Sequence, residues 1–338
     1  MTMKSRLFFI FAPFVLLLIF FSSLSFGVNI ASVSQIYAAL TQPEPQNYEQ
    51  AVILYQRLPR ALISVYVGAV MACSGLVFQG LIRNPLASSS TLGINAGAAL
   101  FVIVGAISFE FDLTLQGIAA LVGGLFGFLS SLAVSRLAGV NGVSRDLLLI
   151  LSGTLITMLY LGISNAVLLA YPALRTEYLS WLAGAINHAY ITRLHHFWWF
   201  GILALIVLLL LARPLTLILL GYEKAFSIGA NATIVSRIAL IAAIVASSSA
   251  VAICGPIGFV GLVVPHIVKP LVGQNFMLSL PACALTGASI CLIANLCAQT
   301  LFQPYVIHTG ILMDFLGGLF FIWIIRKRYL SVTSERSL

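Results

Sequence analysis

Between Arg60 and Arg83 the chain reads ALISVYVGAVMACSGLVFQGLI, residues 61–82, without one charged side chain. A helix of that length crosses the roughly 30 Å hydrocarbon core of a bilayer. An uncharged run this long, closed by arginine at each end, reads as a membrane-spanning helix. Working outward, similar apolar runs give expected spans at 7–27, 61–82, 92–109, 113–134, 147–171, 197–212, 237–254, 256–272, 280–302 and 309–325. The 338 residues are 61% hydrophobic and only 8% charged, against about 25% charged in soluble domains. A soluble enzyme or binding module is thereby excluded, and ten crossings leave no room for a separate soluble domain.

Charge placement sets the expected topology. The net charge of +8 would suit nucleic acid only if the basic residues gathered on one aqueous face, and instead they sit in small groups between apolar blocks. With ten crossings and a cytoplasmic N-terminus, Lys4, Arg6, Arg83, Arg136, Arg145, Arg213, Lys224, Arg237, Lys269, Arg326, Lys327, Arg328 and Arg336 fall inside. That is 13 of the 17 basic residues; only Arg57, Arg60, Arg175 and Arg193 fall outside. Cytoplasmic loops carry such an excess. Cys254-Gly255-Pro256 nearly fuses spans seven and eight, but merging them would put Lys269 and the basic C-terminus outside. The expectation is ten helices with both termini cytoplasmic, the first span being a retained helix rather than a cleaved signal.

Arg60-Ala61-Leu62-Ile63 leads to Gly75, Phe78, Gly80-Leu81 and Asn84-Pro85, and Arg237-Ile238-Ala239-Leu240 leads to Gly255, Phe259, Gly261-Leu262 and Pro265-His266. The two segments run in opposite directions, so spans two to five and seven to ten form a weak inverted repeat of the transporter kind. The single transmembrane domain thus divides into a first helix (7–27), a first repeat (61–171), a connecting helix (197–212), a cytoplasmic loop (213–236) and a second repeat (237–325).

Enzyme motifs are missing. No GxxxxGK[ST] cradles phosphate, and no HExxH or GxSxG occurs. The five cysteines lie in apolar segments without CxxC spacing, as small buried hydrophobes do, and the five histidines sit near span boundaries without metal-ligand spacing. No metal site and no bound cofactor are expected, so an ATP-driven process would need ATP and Mg on another polypeptide. Asp314 is the only acidic residue inside an expected span. A carboxylate there costs a few kcal/mol at the bilayer centre, so Asp314 is expected to face a cavity or a subunit interface. The alternative is a hydrogen-bonded group at the outer rim near His308. An ionised, pore-facing Asp314 would disfavour a strongly anionic cargo. The loop Gly221-Tyr222-Glu223-Lys224-Ala225-Phe226-Ser227-Ile228-Gly229 reads either as a short helix docking on a partner or as an ordinary loop.

Four segments resemble the permeases of bacterial ABC importers for ferric siderophores, haem and vitamin B12. Arg57-Leu58-Pro59-Arg60 is similar to that family's RLPR. Arg83-Asn84-Pro85-Leu86-Ala87-Ser88 with Leu92-Gly93-Ile94-Asn95-Ala96-Gly97-Ala98 is similar to its RNPLA and LGixxGA block. Gly255-Pro256-Ile257-Gly258-Phe259-Val260-Gly261-Leu262-Val263-Val264-Pro265-His266 resembles its GxIxFVGLvvPH block, and Glu223, Ala225 and Gly229 keep the EAAxxxG spacing.

The resemblance implies an ATPase-coupling loop carrying Glu223, Ala225 and Gly229, and docking of a periplasmic binding protein at Arg57 and Arg60. It also implies a cytoplasmic gate at Asn84, Pro85, Leu86 and Ser144, and transport of an iron chelate across the inner membrane, with a ferric siderophore ahead of haem and vitamin B12. The implied partners are a cytoplasmic ATPase dimer, the binding protein and a second permease, either a different chain or a second copy. Gln299 and Asn295 stand where the family has an arginine and an aspartate, and Ile307-His308-Thr309-Gly310 keeps only the glycine of ELPxG. Those departures favour a different chain as partner. The rival class is a proton- or sodium-coupled secondary transporter using Asp314.

Overall fold

The computed structural model describes residues 3–27, 31–42, 44–139, 144–219, 231–303, 305 and 307–326, and all of their regular structure is helical. The chain opens with α1 (Met3–Ser25), then α2 (Val33–Thr41) and α3 (Tyr48–Val52), which runs through one π-helical turn, Ile53–Arg57, into α4 (Leu58–Leu81). There follow α5 (Ile94–Ser108), α6 (Leu113–Ala138), α7 (Arg145–Ala170), α8 (Pro172–Leu182), a 3₁₀ turn His188–Tyr190, α9 (Ile191–Leu210) and α10 (Ala212–Leu219). The second half holds α11 (Ala232–Cys254), α12 (Val260–Val272), α13 (Phe276–Thr300) and α14 (Thr309–Ile325).

Side-chain caps fix the starts. Asp112, Ser144, Asn231 and Asn275 each accept a backbone N–H of the first turn of the helix that follows, satisfying donors that have no intrahelical partner. Seven helices are long and apolar enough to cross a bilayer, and α5, α12 and α14 are shorter apolar helices. Each expected span overlaps one of these ten. Spans seven and eight are separate, because α11 stops at Cys254 and residues 255–259 are not helical. Gly255 has φ +78°, a conformation that glycine adopts without steric cost, and Pro256 removes the next donor.

Two segments outside the expected spans are helical. α2 and α3 precede the second span, and α8 lies between the fifth and sixth. Each is shorter than a membrane crossing, so hydropathy alone does not mark it. α2 is instead marked by its capping box, in which Ser32 and Gln35 bond each other's backbone.

Burial ranks the helices. In α4 and α11, 78% and 72% of the most apolar window is buried, against 17% in α1, so α4 and α11 form the centre and α1 lies at the periphery. The approach to α4 is closest at glycines. A Cβ on Gly75 would overlap the Gly261 backbone of α12, and one on Gly68 the Gly287 backbone of α13. Small residues at these crossings let backbones pack directly, which is how helices associate where apolar burial gives no drive. At the N-terminal end of α4, Leu24, Ile36, Ile53, Ala61 and Leu292 form a separate small cluster that seats α2 and the π turn against α1, α4 and α13.

Candidate functional site

The features implied by sequence fall at the two ends of α4 and in a cavity beside the α11–α12 break. At the N-terminal end of α4, Arg57 donates from Nη1 to the carbonyls of Leu24 and Ser25, both at 2.8 Å. These are among the last carbonyls of α1, which lack intrahelical donors, so Arg57 ties α1 to α4. Arg60 donates to Gln299 Oε1 at 2.9 Å and lies 3.5 Å from His188 Nδ1, and its Nε is buried without a partner. A polar cavity of about 220 Å³ opens beside it, lined in part by Ser180, Asn295, Gln299, His308 and Thr309. Ser180 Oγ and His308 Nε2 are 2.7 Å apart, and Thr309 donates to Asn295 Oδ1 at 3.3 Å. Gln299 and Asn295, the positions that depart from the family pattern, thus bond Arg60 and Thr309 within the chain.

Beyond the C-terminal end of α4, Arg83 takes φ +52° and the chain turns sharply. Asn84 Oδ1 accepts the Leu86 N–H at 2.9 Å, an Asx turn closed across Pro85. Thr91 Oγ1 donates to the Leu86 carbonyl at 2.9 Å and accepts the Ser88 N–H at 2.9 Å, which fixes the turn from behind. Ser144 caps α7 by accepting the Leu147 N–H at 3.4 Å, and no hydrogen bond among the described residues joins it to the 84–86 turn. Glu223, Ala225 and Gly229 lie outside the described residues. The helices that flank them are brought together, because Ile218 of α10 packs against Ala232 of α11.

The third feature is a cavity of about 330 Å³ lined by Ser90, Thr91, Asn95, Thr157, Gly258 and Asp314, among others. Asp314 is exposed on α14 and its carboxylate stands against Gly258 in the 255–259 break, so closely that a Cβ there would collide with Oδ1. Non-helical backbone at membrane depth is tolerated where it lines a cavity or is buried in protein, and residues 255–259 do both. Asp314 lines this cavity. His308 is bonded to Ser180.

Two polar centres escaped the sequence reading. Gln79, buried in α4, donates to the Leu262 carbonyl at 3.0 Å and accepts from Lys269 Nζ at 2.8 Å. Arg193 donates to Gln116 Oε1 at 2.9 Å and to the Ala252 carbonyl at 3.2 Å, with its guanidinium 5.9 Å from the ring centre of the buried Trp181. A lone amide in an apolar helix was the available signal for the first. Nothing in the local pattern marked the second. Among the described residues no group of three or more His, Cys, Asp or Glu side chains could hold a metal.

The helices and this arrangement define a multi-pass membrane protein with an irregular, polar-lined break beside its central helices. Residues 15–327 match the FecCD transport family. The chain is 35% identical over 298 residues to the ferric enterobactin transport system permease protein FepG of Escherichia coli K12, covering 88% of each. It is 33% identical over 324 residues to the hemin transport system permease protein HmuU of Yersinia pestis, covering 93% of this chain and 95% of that one. A solved structure described as an inward-facing metal-chelate type ABC transporter superposes with a TM-score of 0.76 at 28% identity, covering 95% of this chain and 99% of the other. The chain belongs to the FecCD transport family and is a permease of the ABC-importer class, as its four motifs implied.

Proposed function

We propose that this chain is the membrane subunit of an ATP-driven importer that moves a ferric siderophore from periplasm to cytoplasm by alternating access. The observation that carries the reading is the family match, which runs through nearly the whole chain and includes siderophore, ferric citrate and hemin permeases. Ten helices cross the bacterial inner membrane, α5, α12 and α14 among them, with both termini cytoplasmic. The two repeats pair reciprocally: α4 packs on α13 and α11 on α6, α5 on α6 and α12 on α13, which supports the inverted relation read from sequence.

A periplasmic binding protein docks at the outer face around Arg57 and Arg60. Charge at the rim of an interface acts on encounter and orientation more than on affinity, and both arginines are half-buried. The intrachain bonds of both arginines favour a structural share in that role. A cytoplasmic ATPase dimer binds ATP and Mg and drives the cycle through the loop carrying Glu223, Ala225 and Gly229, while Asn84, Pro85, Leu86 and Ser144 form the inner gate. A second, different permease completes the pair, because Gln299 is engaged with Arg60 on this one. Weak contacts along the path let a bulky chelate leave.

The test is affinity purification of the assembled complex, then uptake in proteoliposomes from a panel of iron chelates, haem and cobalamin presented with their binding proteins. ATP-dependent uptake of one ferric siderophore is expected, with a second permease in the complex. Selective uptake of haem or cobalamin would change the cargo. A transport-competent complex holding only this permease and an ATPase would refute the heterodimer.

A further inference from the structure

A further cavity, of about 290 Å³, lies where α4, α10, α12 and α13 meet. Two cationic side chains line it, Arg83 just beyond α4 and Lys269 in the last turn of α12, and no acidic side chain is among its described lining residues. The two charges are held from different elements. Lys269 Nζ donates to Gln79 Oε1 at 2.8 Å, and Gln79 itself donates to the Leu262 carbonyl at 3.0 Å, which fixes the ammonium at the wall that Gln79 forms. Arg83 Nη2 donates to the Ile218 carbonyl at 3.3 Å, beside Leu219 of the lining. The acceptor in each of these bonds is a neutral oxygen. Like charges around one recess repel, and an anion bound between them offsets that cost. Phe276, the first residue of α13, also lines the cavity, so the positive end of that helix's dipole adds to the same sign. Arg83 and Gln274 are exposed and leave the rim open, while the buried Leu76 and Phe276 give the inner wall an apolar part. Basic pockets between membrane helices on the cytoplasmic side take lipid headgroups, and the charge count places this end of α4 on that side.

We infer that Arg83 and Lys269 form a subsite for a phosphate group. Two sources share this chemistry, the headgroup of an anionic phospholipid and free inorganic phosphate. The subsite rests on the cavity and not on the import reading. Pro85 lines the same cavity, so an occupant stands against the 84–86 turn.

A readout independent of transport tests it: native mass spectrometry of the full complex in detergent, with phosphatidylglycerol titrated in. Arg83→Gln and Lys269→Gln should each raise the apparent Kd for the lipid about 5-fold, the scale of one cation facing an anionic lipid. Arg83→Lys keeps the charge and should retain the affinity. Arg136→Gln removes an exposed basic residue of α6 that does not line the cavity, and binding should not change. The unfolding midpoint of each variant without lipid shows that it is folded, and the two Arg83 variants decide the result where Lys269→Gln does not fold. Binding that inorganic phosphate does not displace assigns the subsite to the headgroup. Displacement by inorganic phosphate, with the same dependence on Arg83, would support the subsite and assign it to the free ion. The inference is overturned if diacylglycerol, which has no phosphate, binds as tightly, if Arg83→Gln binds phosphatidylglycerol as the unaltered chain does, or if Arg136→Gln weakens binding equally.

Discussion

Arg57 donates to the carbonyls of Leu24 and Ser25, of which Ser25 also accepts the Ala31 N–H at 2.9 Å, so its removal should be felt in stability as well as in docking. Arg57→Ala is expected to cost about 1–3 kcal/mol, the penalty for weakening the tie at the buried Leu24, read as a lower unfolding midpoint of the detergent-solubilised complex. It should also slow association of the binding protein and flatten its salt dependence. An unchanged midpoint would contradict the tie between α1 and α4. Gln79 has a comparable position towards the C-terminal end of α4, which it joins to α12 through Lys269 and the Leu262 carbonyl. Gln79→Leu removes the acceptor from Lys269 and a donor from the Leu262 carbonyl. A loss of about 1–3 kcal/mol in the same unfolding assay is the expected result, and Gln79→Glu should retain more of the stability than Gln79→Leu.

Individual helices divide sharply in how far the sequence revealed them. The spans were legible because each is an apolar run, most of them uncharged, bounded by charge, proline or glycine, and the 254–256 break was legible because glycine and proline adjoin there. Asp314 stood out as the lone acid inside a span. Its cavity did not, because Asn95, Gly258 and Thr157 meet only through tertiary packing. α2 and α8 were hidden for a different reason: too short to cross and of mixed polarity, they give no hydropathy signal. The packing of α4 gives the test at this scale. Gly75→Ala places a methyl group against the Gly261 backbone, and overpacking of that kind costs about 1–3 kcal/mol or more. The folded yield and unfolding midpoint should fall, whereas Gly162→Ala, where nothing lies within 4 Å of the added Cβ, should leave both nearly unchanged. A tolerated Gly75→Ala would mean that α4 and α12 do not approach in the membrane as they do here.

For the whole molecule, charge asymmetry and helix number make a joint statement about topology. With ten crossings, 13 of 17 basic residues lie on the cytoplasmic side, so a reporter fused after Leu338 that requires the periplasm, such as alkaline phosphatase, should be inactive. A fluorescent protein fused there should mature in the cytoplasm. Active phosphatase would require an odd number of crossings or an inverted insertion. The coupling loop gives the functional counterpart. Glu223→Ala or Gly229→Val should lower ATP-driven uptake by about tenfold or more, the effect of about 1.4 kcal/mol, while the ATPase subunits still hydrolyse ATP on their own.

The central claim is that ATP on a partner, rather than an ion gradient through Asp314, drives transport. The direct measurement is uptake of a radiolabelled iron chelate into proteoliposomes holding this permease, its ATPase and its second permease, with the binding protein outside. ATP and Mg are sealed inside, and an ionophore collapses all ion gradients. Uptake that requires internal ATP and continues with the ionophore present is expected. Uptake that needs no ATP, stops with the ionophore and is abolished by Asp314→Asn would contradict it, and would place a coupled ion at the carboxylate on α14.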